Sequence, residues 1–256
     1  MLKKDFHHSA SSANSFIDSP PYWIITKLYG FEGPPNNRMI MGTAAEHGAF
    51  ESLSKSLDDK STTESTKKKY VEEGGDPTAN ELEMAEQISI KFKEALAEFG
   101  KVVSYQNETI TDGEKFGLKY PVRCITDFEF EEVIVDTKAT AYLKRLKKGT
   151  LDPNWYPKKS DVRQQMLYSR VNNKPTMLLY TSAADQEAID MLDRGEEPLN
   201  EILGAFRSIE HITSIAKTKE DVVRMFPLNF DNFRWGKTED EPSRAFARKI
   251  WKEAWK

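Results

Sequence analysis

The chain contains a single cysteine and no long apolar run. Both features exclude certain classes of protein. The 256 residues contain one cysteine, Cys124, which excludes an intramolecular disulfide and a four-cysteine iron–sulfur cluster. A lone thiol also fits a reducing compartment. No run of about 18 apolar residues occurs, and Met1-Leu2-Lys3-Lys4 leads into polar residues rather than into the apolar segment of a signal peptide. We therefore expect a cytoplasmic protein that does not associate with a membrane.

An excess of positive charge is also absent. The 37 lysines and arginines are outnumbered by 41 aspartates and glutamates, which gives a net charge of −4. This balance argues against indiscriminate binding to duplex nucleic acid. It does not exclude an enzyme that acts on nucleic acid, because acids gathered at a metal site add negative charge that bound cations neutralise. With 38% hydrophobic residues the chain can bury a full core, and we expect one domain over residues 1–256.

The most informative motif is Asp136-Thr137-Lys138, which follows an apolar run at 133–135 and an earlier acid, Asp127. Side chains alternate across a strand, so we expect Asp136 and Lys138 to project from one face. Thr137 then points away and offers its backbone carbonyl. A carboxylate beside an ammonium group at the end of a buried strand is typical of a metal-dependent site.

The register of these strands decides whether the two aspartates meet. If 126–130 pairs with 133–137 in a hairpin that turns at Glu131-Glu132, Asp127 lies directly opposite Asp136. Facing carboxylates destabilise a sheet unless a cation lies between them. The alternative is an ordinary charged hairpin, because Glu-Glu is not a favoured two-residue turn and the register could slip by one residue.

Two helices supply further candidates. Residues 160–172 read as a helix capped by Ser160 or Asp161. Gln164 and Tyr168 are four positions apart and share one of its faces, although such a pair alone is typical of an ordinary amphipathic surface. Upstream, the small residues within 38–51 allow a helix to pack closely against its neighbours. On that helix Glu46 or His47 could point a ligand atom into a cleft.

The ordered set of helix acid, strand Asp, strand Asp-x-Lys and helix Gln-x-x-x-Tyr runs through residues 9–181 and resembles a known family. It is similar to the RecB-like branch of the PD-(D/E)xK nuclease superfamily, especially the exonucleases of tailed phages and the mitochondrial single-strand exonuclease. The resemblance implies an α/β fold with a restriction-endonuclease-like α-β-β-β-α-β core, a central mixed sheet flanked by helices and helical additions at both ends. It also implies two Mg²⁺ ions, which Mn²⁺ could replace.

By this resemblance each motif residue acquires an expected role. The expected metal ligands are Glu46, Asp127, Asp136 and the carbonyl of Thr137, and the expected catalytic residues are Lys138, Asp136, Gln164 and Tyr168. The implied function is a metal-dependent exonuclease that hydrolyses linear DNA, single-stranded or with a single-stranded end, in phage replication or recombination. Proteins of those processes are possible partners. A restriction-type or repair endonuclease and a catalytically silent DNA-binding relative remain as alternatives.

Three positions depart from the family pattern. The usual first motif is Gly-x-x-x-His, but the fourth residue after Gly42 is Glu46, and His47 comes one later. We favour Glu46 because a carboxylate suits a hard cation better than imidazole does, and we keep His47 as second choice. Cys124 stands where relatives commonly have a glycine, and Asp136 stands where many carry a glutamate, which shortens the reach by one methylene.

The segment 142–159 interleaves basic and aromatic side chains, as a path for single-stranded DNA requires. The expected contacts to phosphates and bases are Lys144, Lys147, Lys148, Trp155 and Tyr156. A solvated connector is the alternative. Upstream, Tyr22, Trp23 and Tyr29 could stack on bases, although core packing is the more ordinary role.

The remaining segments predict an outline of the fold. Polar composition over 52–78 indicates a flexible surface insertion, and 208–256 reads as a C-terminal helical extension. We expect helices at 9–28 with a break at Pro20-Pro21, at 81–99, over most of 186–207 and at 242–256, a loop at 33–37, and strands at 102–110 and 176–181.

Overall fold

The computed structural model describes residue 2 and residues 5–33, 36–238 and 241–256. The helices are α1 (Ala10–Asp18), α2 (Pro20–Trp23), α3 (Asn37–Lys55), α4 (Asp59–Glu72), α5 (Asn80–Ala97), α6 (Lys159–Asn172), α7 (Glu197–Ile215), α8 (Lys219–Met225) and α9 (Pro242–Ala254). The strands are β1 (Ser104–Thr111), β2 (Val122–Glu129), β3 (Ile134–Ala139), β4 (Thr176–Thr181) and β5 (Gln186–Asp190). The predicted loop at 33–37 includes residues 34 and 35, which lie outside the described residues.

The strands form one five-stranded mixed sheet in the order β1-β2-β3-β4-β5, and helices flank it, so the fold is α/β. β3 runs antiparallel to β2 and parallel to β4, while β5 is antiparallel to β4. In the β2–β3 hairpin Phe128 pairs with Val135, and the N–H of Phe130 donates to the carbonyl of Val133 at 2.9 Å. The predicted two-residue turn at Glu131-Glu132 is therefore confirmed, and the paired register ends at Phe128 and Val135, one position before Asp127 and Asp136.

The two faces of the sheet pack against different helices. Val135 and Leu179 belong to a buried cluster with apolar side chains of α3 and α5. Leu178 and Tyr180, which alternate with Leu179 along β4, pack instead in a cluster with Val162 of α6. Since side chains alternate along a strand, neighbouring positions of β3 must also point toward different helices.

This alternation fixes the direction of the motif on β3. Asp136 pairs with Leu178 and Lys138 with Tyr180, so both side chains project toward α6. Thr137 lies between them and projects toward α3. The sequence prediction that Asp136 and Lys138 share a face while Thr137 points away is confirmed.

Helix α4 corrects the expectation of a flexible insertion at 52–78. Thr62, Thr66 and Tyr70, four residues apart in turn, are buried where α4 packs against α3 and α5. The Thr62 hydroxyl donates to Ser52 Oγ at 2.8 Å. A Cβ at Gly48 would come within 1.9 Å of Thr66 Oγ1, so this glycine allows the close approach. Helix α4 packs through side-chain hydroxyls and small residues. The average polarity of the segment 52–78, on which the prediction rested, does not reveal such packing.

The chain divides into two compact units. One comprises residues 1–34, 109–124 and 196–256, and the other comprises 35–108 and 125–195. The first unit includes the predicted helical extension at 208–256, which contains α8, α9 and the end of α7. Its buried core includes Trp23, Ile25, Ile209, Val222, Trp235 and Trp251. Trp23 is thus a core residue, with Tyr22 and Tyr29 packed partly buried against the same cluster.

Two other boundaries differ from the prediction. Residues 186–190 form the strand β5, and the helix begins only at Glu197. The strand is mostly polar and partly exposed, so it lacks the apolar alternation that marks a strand. Helix α6 begins at Lys159 with Lys158 at the N-cap and no side-chain cap, so neither Ser160 nor Asp161 caps it. No helix in the described ranges is long and apolar enough to span a bilayer.

Candidate active site

Acidic side chains lie close together at the open end of the β2–β3 hairpin, where the pairing of the two strands stops. The N–H of Thr137 donates to Asp127 Oδ2 at 3.0 Å, so this carboxylate takes the place of the main-chain acceptor that a continued ladder would offer. The Thr137 hydroxyl lies 3.4 Å from the same oxygen and 3.1 Å from Glu46 Oε2 of α3. A hydroxyl has one proton to donate, so it cannot serve both carboxylates at once.

Glu46 is held by residues from β1 as well as from β3. It accepts hydrogen bonds from the Gln106 amide and from Tyr105, and Tyr105 stacks on Phe50 of α3 with ring centroids 4.1 Å apart. Gln106 has a φ of +50°, a left-handed conformation that is uncommon for a residue with a Cβ. Burial raises the pKa of Glu46 although these donors act to lower it.

Asp136 projects toward α6 and is fully buried. Its Oδ1 accepts a hydrogen bond from Gln164 Nε2 at 2.9 Å. Its Oδ2 forms an ion pair with the Lys138 ammonium group, and no donor other than Lys138 among the described residues reaches Oδ2. Gln164 thus contacts one oxygen of the carboxylate, and Lys138 contacts the other.

The two aspartates have strongly perturbed proton affinities. Burial, followed by repulsion from Glu46, raises the pKa of Asp127 to about 7. Burial and repulsion from Asp127 raise the pKa of Asp136 to about 7. Both shifts persist despite the nearby positive charge of Lys138. Repulsion thus links Glu46 to Asp127 and Asp127 to Asp136, and this arrangement favours either protons or a cation.

The pKa of Lys138 bears on which catalytic role this lysine could have, because orienting a water needs the ammonium form and deprotonating it needs the neutral amine. Burial acts to lower this pKa, but the charges of Asp136, Asp127 and Asp161 outweigh burial, and the pKa of Lys138 is raised. As the structure stands, Lys138 is an ammonium group at neutral pH and not a proton acceptor.

The carboxylate oxygens of these acids are suitable ligands for a hard cation such as Mg²⁺. In this structure, however, they do not form a complete metal site. In the part of the chain that the structure describes, no three His, Cys, Asp or Glu side chains gather closely enough to hold a metal ion. Glu46 approaches from the α3 side, whereas Asp136 faces α6 and is paired with Lys138. Carboxylate and carbonyl oxygens are what Mg²⁺ prefers. The Thr137 hydroxyl, which two carboxylates share, leaves an acceptor for such an ion, whereas Oδ2 of Asp136 is occupied by the Lys138 ammonium group.

His47, the second choice for the helix ligand, lies elsewhere. It lines a polar cavity of about 330 Å³ with residues of α3 and α4, while Glu46, one position earlier, reaches Thr137. Burial lowers the pKa of His47. Tyr168, the last residue of the Gln-x-x-x-Tyr motif, is buried on α6.

Four residues at the site escaped sequence reasoning as functional candidates. Tyr105 and Gln106 lie on β1 and hold Glu46. Asp161 accepts a hydrogen bond at 2.7 Å from the hydroxyl of Tyr180. The spacing Asp-x-x-Gln on α6 was available as a signal, because residues three apart share a helix face. The other contacts depend on tertiary packing.

The basic and aromatic segment matches the prediction only in part. Trp155 is 39% exposed, and the Lys144 ammonium group lies 5.3 Å from the centre of its ring. Lys147 and Lys148 are exposed. Tyr156 is buried, and its hydroxyl donates to the carbonyl of Tyr142 at 3.0 Å. The expectation that Tyr156 stacks on a base is therefore wrong, because the ring belongs to the core beside α6.

The chain has little detectable similarity to known proteins. No protein-family model matches the chain, and no curated protein matches it. Among solved structures it is similar to the crystal structure of SSO0001, with 9% sequence identity and a TM-score of 0.44 over 89% of this chain and 88% of that one.

Proposed function

We propose that this chain is a metal-dependent DNA exonuclease of the RecB-like PD-(D/E)xK type. The observation that carries the proposal is the acidic group at the end of the hairpin. Asp127 and Glu46 both contact Thr137, its neighbour Asp136 is paired with Lys138, and the pKa of each carboxyl is raised. Maintaining such a group costs stability, which is expected of a site kept for function.

The order of elements supports the proposal. Helices α3 to α5 precede three consecutive strands, and then α6 and β4 follow, which is the α-β-β-β-α-β order of that superfamily. The motif residues occupy matching places. The acids lie on β2 and β3, Lys138 is two residues after Asp136, and Gln164 lies on the helix after β3.

The metal-ligand roles are taken from the family resemblance, and the roles of Gln164 and Lys138 are argued from their contacts. Asp127, Asp136, Glu46 and the Thr137 carbonyl would hold two Mg²⁺ ions. Such ions lower the pKa of bound water and stabilise charge on the phosphate oxygens. Gln164 fixes the orientation of Asp136 through its hydrogen bond to Oδ1. Because the pKa of Lys138 is raised, its ammonium group acts by orienting a water molecule or neutralising phosphate charge, and it does not act as the base.

The substrate path is proposed from the exposed part of the segment after β3. Trp155 offers a face for base stacking, and Lys144, Lys147 and Lys148 offer charges for phosphates. The preference for a strand end, and a role in phage replication or recombination, rest on the family resemblance alone.

The test compares cleavage and Mg²⁺ binding in the parent chain and two variants. Asp136→Asn keeps the shape of the side chain but removes its charge, while Asp193→Asn makes the same change at an exposed turn. We expect the parent and Asp193→Asn to bind Mg²⁺ in calorimetry and to cleave end-labelled single-stranded DNA. Asp136→Asn should lose both properties and keep its fold by circular dichroism. Equal turnover in all three proteins would refute the assignment.

A further inference from the structure

Helix α6 contributes an acid that the proposed mechanism does not yet use. Asp161 and Gln164 are three residues apart, so they share the face of α6 that covers the sheet. Gln164 reaches Asp136, and Asp161 reaches the hydroxyl of Tyr180. Tyr180 is the neighbour of Lys138 in the parallel β3–β4 register. Lys138 is therefore paired with Asp136 on its own strand, and Asp161 is held above the neighbouring strand on the same side of the sheet, where its charge acts on Lys138.

Asp161 is held in a defined orientation. The Tyr180 hydroxyl donates to Asp161 Oδ2 at 2.7 Å, and the same hydroxyl accepts from the N–H of Lys158 at 3.1 Å. The Ser160 hydroxyl donates to Asp161 Oδ1 at 3.2 Å. Tyr180 is 1% exposed and fixed in the core. The carboxylate thus has a rigid support on the side of the sheet that Lys138 faces.

An ordinary structural role does not account for the whole arrangement. An acid in the first turn of a helix is favourable because of the helix dipole, and Asp161 occupies such a position. Its negative charge, however, also acts on both members of the neighbouring ion pair, Lys138 and Asp136. A purely structural acid at the start of the helix has no need to lie near that pair.

The present pairing creates a conflict at Asp136. The Lys138 ammonium group stands at Oδ2, and Oδ1 is occupied by Gln164. A cation that binds Asp136 through Oδ2 must displace the ammonium group. A buried ammonium group without a partner is costly, so metal binding needs a second acceptor for Lys138.

We infer that Asp161 is a positioning residue that receives the Lys138 ammonium group when a divalent cation takes Oδ2 of Asp136. This exchange of partners rests on the proposed function and deepens it. In the exchanged state Asp136 is free to act as a ligand, and Lys138 stays charged and is held beside the metal. No proton or covalent bond changes hands. Tyr180 supports the exchange by keeping Asp161 in place.

A double-mutant cycle on Mg²⁺ affinity tests the inference. Calorimetry measures the dissociation constant of Mg²⁺ for the parent, Asp161→Asn, Lys138→Ala and the double variant. We expect Asp161→Asn to weaken Mg²⁺ binding by about 10-fold, within the usual range for coupled sites. In the Lys138→Ala background the same change should have almost no effect, because no ammonium group remains to be relocated.

Supporting variants separate positioning from folding. Asp161→Glu should restore most of the Mg²⁺ affinity, and Tyr180→Phe should weaken it by about 3-fold, as expected when one hydrogen bond is lost. At saturating Mg²⁺, Asp161→Asn should lower kcat and leave the KM for DNA unchanged.

Two results would overturn the inference without touching the proposed function. In the first, Asp161→Asn binds Mg²⁺ as tightly as the parent. In the second, it loses the same affinity with and without Lys138. If Asp161→Asn does not fold, Asp161→Glu and Tyr180→Phe decide in its place, and parental affinity in Tyr180→Phe counts against the exchange. A parent chain that neither binds Mg²⁺ nor cleaves DNA would instead refute the proposed function itself, and the inference with it.

Discussion

The metal-free protein should become more stable as the pH falls from 8 to 6, and Asp136 should carry much of this effect. The pKa of Asp136 and of Asp127 is raised to about 7 in the folded chain, far above the ordinary value of about 3.9 in an unfolded chain. The folded state therefore takes up a proton in a range where the unfolded state does not. The resulting stabilisation is present below the raised pKa and is lost as the pH rises through 7.

The size of this effect follows from linkage. One carboxyl with a folded pKa of about 7 contributes about 1.4 kcal/mol between pH 8 and pH 6. His8, fully buried against Glu210, opposes the gain. Burial lowers its pKa, so its stabilisation is present above the unfolded value and is lost as the pH falls. A comparison with Asp136→Asn removes this contribution, because both proteins contain His8.

Urea unfolding in EDTA at pH 6 and pH 8 measures the difference. The parent should gain about 1 to 2 kcal/mol more than Asp136→Asn when the pH is lowered. Mg²⁺ should reduce this gain in the parent, because metal binding requires the ionised carboxylates. The same pH dependence in both proteins without metal would refute the argument that burial and repulsion from Asp127 raise the pKa of Asp136.

Three further predictions concern single side chains. Lys138→Ala should still bind Mg²⁺ and DNA while cleaving about 100-fold more slowly, as measured by single-turnover kinetics; equal loss of binding and cleavage would make it a phosphate anchor. Glu46→Gln should abolish Mg²⁺-dependent cleavage, and His47→Gln should cost little, since only Glu46 reaches Thr137; the opposite result would contradict this placement of α3. Trp155→Ala should weaken single-stranded DNA binding by about 1–3 kcal/mol in fluorescence titrations, whereas the buried Tyr156→Phe should leave it unchanged.

The hairpin was predictable because its signals are local. Alternation from Val133 to Lys138 and the two residues between the strands determine the register, and the structure confirms the hairpin and its turn, with pairing up to Phe128 and Val135. The helix residue Gln164 was predicted only through the family resemblance. Gln164 was expected to support the site, and its hydrogen bond to Asp136 is a contact that four-residue spacing alone could not assign.

The errors have a common cause in tertiary packing. Helix α4 has few apolar residues, yet Thr62 and Thr66 are buried because Gly48 lets the helices approach closely. Tyr156 reads as a base-stacking residue in a basic segment, but the chain turns its ring into the core. The pKa of Lys138 depends on three carboxylates, one of which, Asp161, no strand pattern could place beside it.

The most direct test of the central claim is digestion of end-labelled linear and closed circular single-stranded DNA by the parent chain in Mg²⁺ and in EDTA, with Asp136→Asn and Asp193→Asn in parallel. The account predicts Mg²⁺-dependent degradation of linear DNA by the parent and by Asp193→Asn, no degradation by Asp136→Asn, and circles left intact by all three. Rapid fragmentation of circles would make the protein an endonuclease. Degradation that persists in EDTA or in Asp136→Asn would contradict the metal-dependent site.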